Sequence, residues 1–341
     1  MTGPLKVGVV GVGHLGSNHA RLYSEIAKRA PQQCNFIGVF DTDKLKVRAL
    51  TEKYGGGAFE TPEELAKFCD AVSIATPTET HHTVACVFLD RGKHVLVEKP
   101  ITDNVSKAEE LVALARTNNC VLQVGHVERF NPVMRYLNEV LTEARFIEVH
   151  RLSSYPGRSI DIGVVLDLMI HDLDVVLSLV KAPLVSFDAV GIPVLSTSED
   201  IANARLKFAN GCVANITASR VSAEKMRKIR IFGRSTYGAA YISLDYMKQE
   251  GELYRVAADD AQESGLLKKL LAGKHASIVS EFAGKKIVRE PVPIERDEPL
   301  KLELQHFIES CRLRRDPLVT GEAAKQALEV AMDITEQIRR A

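Results

Sequence analysis

The sequence predicts an α/β fold whose first part is a parallel sheet covered by helices on both faces. Three observations carry that expectation. Short runs of aliphatic residues alternate with longer amphipathic segments from residue 5 onward. The aliphatic runs are continuous rather than alternating with polar residues, as strands buried on both faces are. A glycine-rich turn, Gly11-Val-Gly13-His-Leu-Gly16, joins the first such run to the first helical segment.

The elements follow in order. "KVGVVGVG" reads as a buried strand entering a turn, and "HLGSNHARLYSEIAKRA" as a helix. "NFIGVFD" is the second strand and "DKLKVRALTEKYG" the second helix. "AVSIATP" is a strand, "ETHHTVACVFLDRG" a helix and "HVLVEKP" a strand. "NVSKAEELVALARTNN" is a helix and "CVLQVGH" a strand. Further on, "DIANARLKFANGCVANITASR" reads as two strands across an Asn210-Gly211 hairpin turn, and "KIRIFGRSTYGAAYISLD" as two more.

The chain of 341 residues is long enough for two domains with sizeable cores. Acidic and basic residues balance at 44 each, so no overall field recruits nucleic acid or an anionic membrane. The basic cluster "EKMRKIRIFGR" (224–234) alternates like a strand, which favours a solvated sheet face over a nucleic-acid site. No signal peptide and no apolar run of membrane-spanning length is visible. The six cysteines are scattered without a CxxC pair, which favours reduced thiols in a cytoplasmic protein.

The turn at 11–16 follows a strand and opens a helix, the context in which GxGxxG means dinucleotide binding and the Rossmann arrangement. Gly11 permits the tight turn, Gly13 lets the backbone approach a pyrophosphate, and Gly16 lets helix and strand pack closely. The free N–H groups of the helix N-terminus then face the phosphates. Asp41 ends the second strand. A carboxylate there accepts hydrogen bonds from the adenosine ribose and repels a 2′-phosphate, which favours NAD over NADP, although Lys44 and Lys46 lie nearby. His14, beside the phosphate turn, is expected to face the cofactor, and His19 to pack. For His81 and His82, at a helix start, lining the nicotinamide side and local capping both remain open.

Glu98-Lys99-Pro100 ends a strand, on the side of an open α/β sheet where ligands lie. In "DLMIHDLD" (167–174), residues four and then three apart share a helical face, so Asp167, His171, Asp174 and Ser178 form one polar stripe. Only Asp172 lies off it. The other faces are aliphatic, and a charge buried without a partner is strongly unfavourable. The stripe therefore faces water, a partner network, a metal or a substrate. From these residues alone, a self-satisfied Asp–His pair and a catalytic wall are equal readings.

In combination these motifs resemble the Gfo/Idh/MocA (glucose-fructose oxidoreductase / inositol dehydrogenase) superfamily. The matching stretches run in order: GVGHLG (11–16), ATPTETHH (75–82), GKHVLVEKP (92–100), VGHVERFNP (124–132), DLMIHDLD (167–174) and TGEAAKQALEVAMDI (320–334). The resemblance implies an NAD-binding Rossmann domain, 1–127, followed by an α+β domain, 128–341. The second domain would bear a large, mostly antiparallel open sheet that pairs subunits into a homodimer or homotetramer. The C-terminal helix, about 321–340, is expected to pack back on the first domain. Cofactor contacts are then expected from Gly11, Gly13, His14, Leu15, Gly16, Asp41, Thr76, Pro77, His81, Glu98 and Lys99.

The resemblance also assigns the catalytic lysine to Lys99 and the Asp-x-x-x-His pair to Asp167 and His171, with Lys99–Pro100 a candidate cis peptide. The residue types suit alcohol oxidation. Histidine has the near-neutral pKa that removing a hydroxyl proton needs. Asp167 would orient it, and Lys99 would stabilise charge on the alcohol oxygen. Asp174 would stand behind them. No metal is expected, because that chemistry leaves a metal nothing to do and no further ligand cluster accompanies Asp167, His171 and Asp174.

Tyr155 and Arg158, around the Pro156-Gly157 turn, together with His126 and Asn131, are the expected substrate contacts. Arg129 is expected to be structural. The "YPGRS…DLMIHD" wording is most similar to the branch that oxidises the 3-hydroxyl of UDP-N-acetylglucosamine. Where many members carry a glycine run before the catalytic Asp, this chain has "IGVVLD" (162–167). A dehydrogenase of a free polyol or sugar, a non-catalytic NAD-binding regulator and an NAD-using glycosidase are the alternatives. Residues 259–286 read equally as a helical excursion over the cleft, a dimer arm or a loop.

Overall fold

The computed structural model describes residues 3–155, 162–256, 277–282 and 285–340. The chain divides into two units, one of Met1–Phe130 with Glu298–Glu329, the other of Asn131–Asp297 with Val330–Ala341.

The first unit is built on six parallel strands: β1 (Leu5–Val10), β2 (Cys34–Phe40), β3 (Gly57–Ala58), β4 (Ala71–Ile74), β5 (His94–Glu98) and β6 (Leu122–Gly125). Their order is β3-β2-β1-β4-β5-β6. The chain winds outward from β1 to β3, then returns to lay β4 on the other side of β1. That reversal opens a crevice at the carboxyl ends of β1 and β4. The helices are α1 (His14–Arg29), α2 (Lys44–Tyr54), α3 (Pro62–Phe68), α4 (Thr78–Leu89) and α5 (Val105–Thr117). A 3₁₀ turn, Val127–Phe130, follows β6.

Two short elements, β3 and α3, escape the sequence pattern. β3 has two residues, and α3 is a two-turn helix set by Thr61, whose hydroxyl accepts from the Glu64 N–H, with Pro62 at the first helical position. The unit also takes back a distant helix from near the end of the chain. In α8 (Pro299–Leu313), Leu304, Phe307, Ile308 and Cys311 join Val7, Val9, Leu22 and Leu96 in one buried cluster. The first unit so defined runs to Phe130 and includes Glu298–Glu329, where the sequence alone places its boundary at residue 127.

The second unit contains α6 (Pro132–Val140), α7 (Ile170–Leu179) and a nine-stranded sheet. The strands are β7 (Leu141–Leu152), β8 (Leu184–Ile192), β9 (Ile201–Phe208), β10 (Val213–Ser219), β11 (Met226–Ser235), β12 (Gly238–Asp245), β13 (Glu250–Val256), β14 (Ser277–Phe282) and β15 (Lys285–Pro291). The order is β14-β15-β13-β12-β11-β7-β10-β9-β8, antiparallel except where β7 meets β10. The Asn210-Gly211 hairpin joins β9 to β10 as expected, with Gly211 at φ +81°.

One face of this sheet is packed and the other is open. Ile147, Val149 and Arg151 of β7 are buried, whereas Phe146, Glu148 and His150 point the opposite way. On that opposite face Phe146, Phe232, Tyr241 and Tyr254 form a ladder across four strands, with centroids 5.8, 4.5 and 5.0 Å apart. The final helix, α9 (Gly321–Arg340), contributes residues to both units. No helix among the described residues is long and apolar enough to cross a membrane. All six cysteines are free thiols.

Candidate active site

The glycine turn has a distinct reason for each of its glycines. Gly11 sits at φ +87°, and a Cβ there would lie 2.6 Å from the Ala75 carbonyl oxygen. A Cβ on Gly16 would come 1.8 Å from the Gly11 carbonyl oxygen. A Cβ on Gly13 would meet nothing within 4 Å, so Gly13 keeps open the space in front of α1. Gly13, His14 and Leu15 are exposed. Helices α2, α3 and α5 are capped by the side chains of Asp43, Thr61 and Asn104, but α1 has no side-chain cap and no acidic residue in its first turn. Its first N–H groups and the positive end of its dipole are thus left to an anion. An open cradle with uncapped donors fits a dinucleotide pyrophosphate.

Asp41 closes the other side of the turn. Its Oδ2 accepts from the Val12 N–H at 2.6 Å and its Oδ1 from the Asp43 N–H at 2.8 Å and the Thr42 hydroxyl at 3.4 Å, which fixes the carboxylate. The neighbouring lysines are engaged: Lys44 with Glu60 at 2.7 Å, and Lys46 with Asp43 at 3.1 Å.

The loop after β4 and the turn after β5 come together through His81. Its ring is 1% exposed, with Nδ1 2.8 Å from the Pro100 carbonyl oxygen and Nε2 2.9 Å from that of Thr76. Burial lowers its pKa below the ordinary imidazole value. His82 instead pairs with Glu110 at 2.9 Å. Glu98 ends β5 with its carboxylate buried. One oxygen lies 3.0 Å from His19 Nε2, and the other accepts from the Lys99 N–H at 3.3 Å. Burial pushes the Glu98 pKa up, but the His19 hydrogen bond and charge outweigh it and hold the carboxyl below its ordinary value. The Lys99–Pro100 peptide is cis and Lys99 is half-buried.

In the second unit the predicted stripe lies on a helix that is not uniform. Val165–Met169 form a π turn and the α-helix proper begins at Ile170. Asp167 sits in the middle of the π turn, a feature frequent at functional sites. His171, Asp174 and Ser178 continue along α7; Asp167 and His171 are half-buried, while Asp174 is buried. Asp172, off the stripe, forms a two-pronged pair with Arg151 of β7, Nε–Oδ2 and Nη2–Oδ1 both at 2.8 Å. That pair pins α7 to the sheet.

The entry to the π turn is held by residues the sequence did not single out. Arg220 is fully buried, with Nε 2.7 Å from Asp200 Oδ1 and Nη1 donating to the Ile162 carbonyl at 2.7 Å. Burial acts against the Asp200 charge, but the Leu195 and Val194 N–H groups and the Arg220 guanidinium hold its pKa well below the usual range. Glu199 accepts the Val164 N–H on its carbonyl and the Val165 N–H on its carboxylate, at 2.9 and 3.3 Å. A Cβ on Gly163 would lie 1.8 Å from the Glu199 carboxylate, so the one glycine in "IGVVLD" serves this contact. The signal for the network was present as adjacent acids, "SED", and a lone arginine ending a strand, but nothing local joins them.

His126 is buried at the start of the 3₁₀ turn. Asn131 is buried as the cap of α6: its Oδ1 accepts from the Val133 N–H and its Nδ2 donates to the Tyr246 carbonyl. Arg129 donates to the Leu318 carbonyl within the first unit. Tyr155 is half-buried beyond β7. Arg158 and the Pro156-Gly157 turn lie outside the described residues, as does most of 259–286.

Comparison with known proteins gives two family matches. Residues 5–126 match the model described as "Oxidoreductase family, NAD-binding Rossmann fold", and residues 143–236 the GFO/IDH/MocA C-terminal domain. A UDP-N-acetylglucosamine 3-dehydrogenase of Acidithiobacillus ferrooxidans is 33% identical over 331 residues, 97% of this chain and 96% of that protein. The solved structure of that enzyme superposes with a TM-score of 0.86 at 32% identity, covering 98% of each chain. A scyllo-inositol 2-dehydrogenase (NAD(+)) of Bacillus subtilis is 26% identical over 98% of this chain and 94% of its own.

Proposed function

The chain belongs to the GFO/IDH/MocA oxidoreductases and is an NAD(P)-dependent dehydrogenase, and on that premise we propose that it oxidises the 3-hydroxyl of a UDP-N-acetyl sugar, UDP-N-acetylglucosamine first among them. One observation carries this choice: the full-length likeness to the Acidithiobacillus enzyme, at 33% identity against 26% for the inositol enzyme.

When bound, NAD supplies the hydride acceptor. The chain's own residues handle the oxygen and its proton. Lys99, at the end of β5, stabilises negative charge as it grows on the alcohol oxygen. His171 takes the hydroxyl proton and returns it in the reverse direction. Asp167 orients that imidazole and stabilises its protonated form. The cofactor is held by Gly11, Gly13, His14, Leu15 and Gly16 at the phosphates, Asp41 at the ribose, and Thr76, Pro77 and Glu98 at the nicotinamide side, with His81 acting through the carbonyls it bridges. Support for NAD over NADP comes from Asp41, a fixed carboxylate beside lysines already engaged with acids. His126, Asn131, Tyr155 and Arg158 are the proposed sugar-side residues.

The open sheet face, with its ladder from Phe146 to Tyr254, is the proposed contact between copies in a homodimer or homotetramer. Light scattering on wild type and Phe232→Glu tests it, with a smaller particle expected for the variant. Scattered free thiols support work in a reducing compartment such as the cytoplasm.

The test of function is direct. UDP-N-acetylglucosamine and then myo-inositol are added to the NAD-loaded protein while NADH absorbance is followed. A signal with the first supports the reading. A signal only with the second favours a free polyol, the alternative supported by the Bacillus relative. Lys99→Ala and His171→Ala are expected to keep fold and cofactor binding and to lose about a hundredfold or more in turnover. Wild-type rates in both would overturn the assigned roles.

A further inference from the structure

Two imidazoles grip the turn that carries Lys99, and each comes from a helix whose N-terminus opens on the cofactor side of the sheet. His19 of α1 reaches Glu98, which in turn accepts the Lys99 N–H. His81 of α4 reaches across nineteen residues of sequence to the Pro100 carbonyl while its other nitrogen faces the Thr76 carbonyl of its own loop. Thr80 ties the same loop further, its hydroxyl donating to the Pro77 carbonyl at 2.7 Å and lying 2.8 Å from the Thr76 hydroxyl, which can donate to it. Carbonyl oxygens only accept, so the neutral ring, with its single N–H, donates to one of the two and packs its other nitrogen against the second. At 1% exposure water is no substitute.

We propose that His81 is a positioning residue: it couples the Thr76–Pro77 loop to the Lys99–Pro100 turn, so that a cofactor seated against the loop also fixes the lysine. Everything in this linkage lies within the first unit. Thr76 and Pro77 are held directly by the ring and by Thr80, and the Pro100 carbonyl lies one peptide beyond the Lys99 Cα. Glu98 is the charged group facing the ring, and it grips the same turn from the other side. The importance of the linkage for turnover rests on the role proposed for Lys99; the linkage itself does not.

Hydrogen–deuterium exchange on the full chain, with and without whichever of NADH and NADPH binds more tightly, tests the coupling. In wild type, cofactor is expected to slow exchange in both 75–82 and 98–104. His81→Phe keeps a ring but no donor. It is expected to retain protection in 75–82 and to lose about fivefold of it in 98–104, the exchange equivalent of one hydrogen bond. His81→Gln, which keeps an N–H donor without the ring, is expected to give a smaller loss and serves if the phenylalanine variant does not fold. Undiminished protection of 98–104 in a folded variant overturns the proposal. A companion assay separates this from the catalytic reading. If Lys99→Ala keeps wild-type turnover, the role of Lys99 fails while the exchange result stands. If Lys99→Ala is inactive and the His81 variants match wild type in both exchange and kcat, only the coupling fails.

Discussion

Gly16 stands so close to Gly11 that a single added carbon would lie 1.8 Å from the Gly11 carbonyl oxygen. Three residues before Gly16, at Gly13, the same carbon would meet nothing within 4 Å. Gly16→Ala is therefore expected to lose about 1–3 kcal/mol by overpacking, and cofactor affinity with it. Gly13→Ala is expected to keep wild-type stability, because Gly13 has an ordinary φ of −64°, and to lose affinity alone. Urea unfolding and NADH fluorescence titration on the two variants distinguish these outcomes.

Asp41 is expected to set the choice of dinucleotide. Replacing it by serine removes the charge that would face a 2′-phosphate, and like charges in contact cost several kcal/mol. The ratio of NADP to NAD affinity should rise about a hundredfold in Asp41→Ser. Unchanged preference, read by the same titration with both cofactors, would remove Asp41 from that role.

The Arg151–Asp172 pair should behave as a buried ion pair does. Arg151→Met leaves the Asp172 carboxylate without its two guanidinium bonds and is expected to cost about 3–5 kcal/mol. The double variant Arg151→Met/Asp172→Leu should recover most of that loss, because no charge then remains buried. A double-mutant cycle from urea melts checks the recovery.

His94 predicts an acid sensitivity of the first unit. Burial, aided by the positive charge of Arg314, lowers its pKa to about 4, and its Nδ1 accepts the Val121 N–H at 2.9 Å. The folded pKa lies below the ordinary 6.5, so the unfolded chain binds the proton first. The contribution is whole above pH 6.5 and falls as pH drops toward 4, by roughly 3 kcal/mol across that window. His94→Gln offers the same N–H an uncharged acceptor. The stability difference between pH 7 and pH 4.5 should shrink in that variant, as measured by urea unfolding at both values.

Much of the first unit could be read from the sequence because its information is local. Continuous aliphatic strands, a glycine turn and an acid at the end of β2 each depend on neighbours a few residues away. The hairpin at Asn210-Gly211 was readable for the same reason. β3 and α3 were not, since two strand residues and a two-turn helix are too short to show a period. The stripe from Asp167 to Ser178 was found by assuming one regular helix, but the π turn at Val165–Met169 belongs to the packing around Gly163 and Glu199 and leaves no periodic signature.

By itself, the sequence determined the alternation of strands and helices in the first unit, the glycine turn and the acid that follows β2, while the roles of Lys99, Asp167 and His171 are what the family resemblance implies. Only the tertiary structure decided that Asp172 belongs to Arg151, that Glu199 and Arg220 hold the entry to the helix, that α8 returns to the first core, and that His19 and His81 hold the Lys99 turn. The physical reason is the range of the interactions. A turn or an amphipathic face is specified by adjacent residues, whereas a buried polar group takes whichever partner the folded chain brings within hydrogen-bond reach, however distant in sequence.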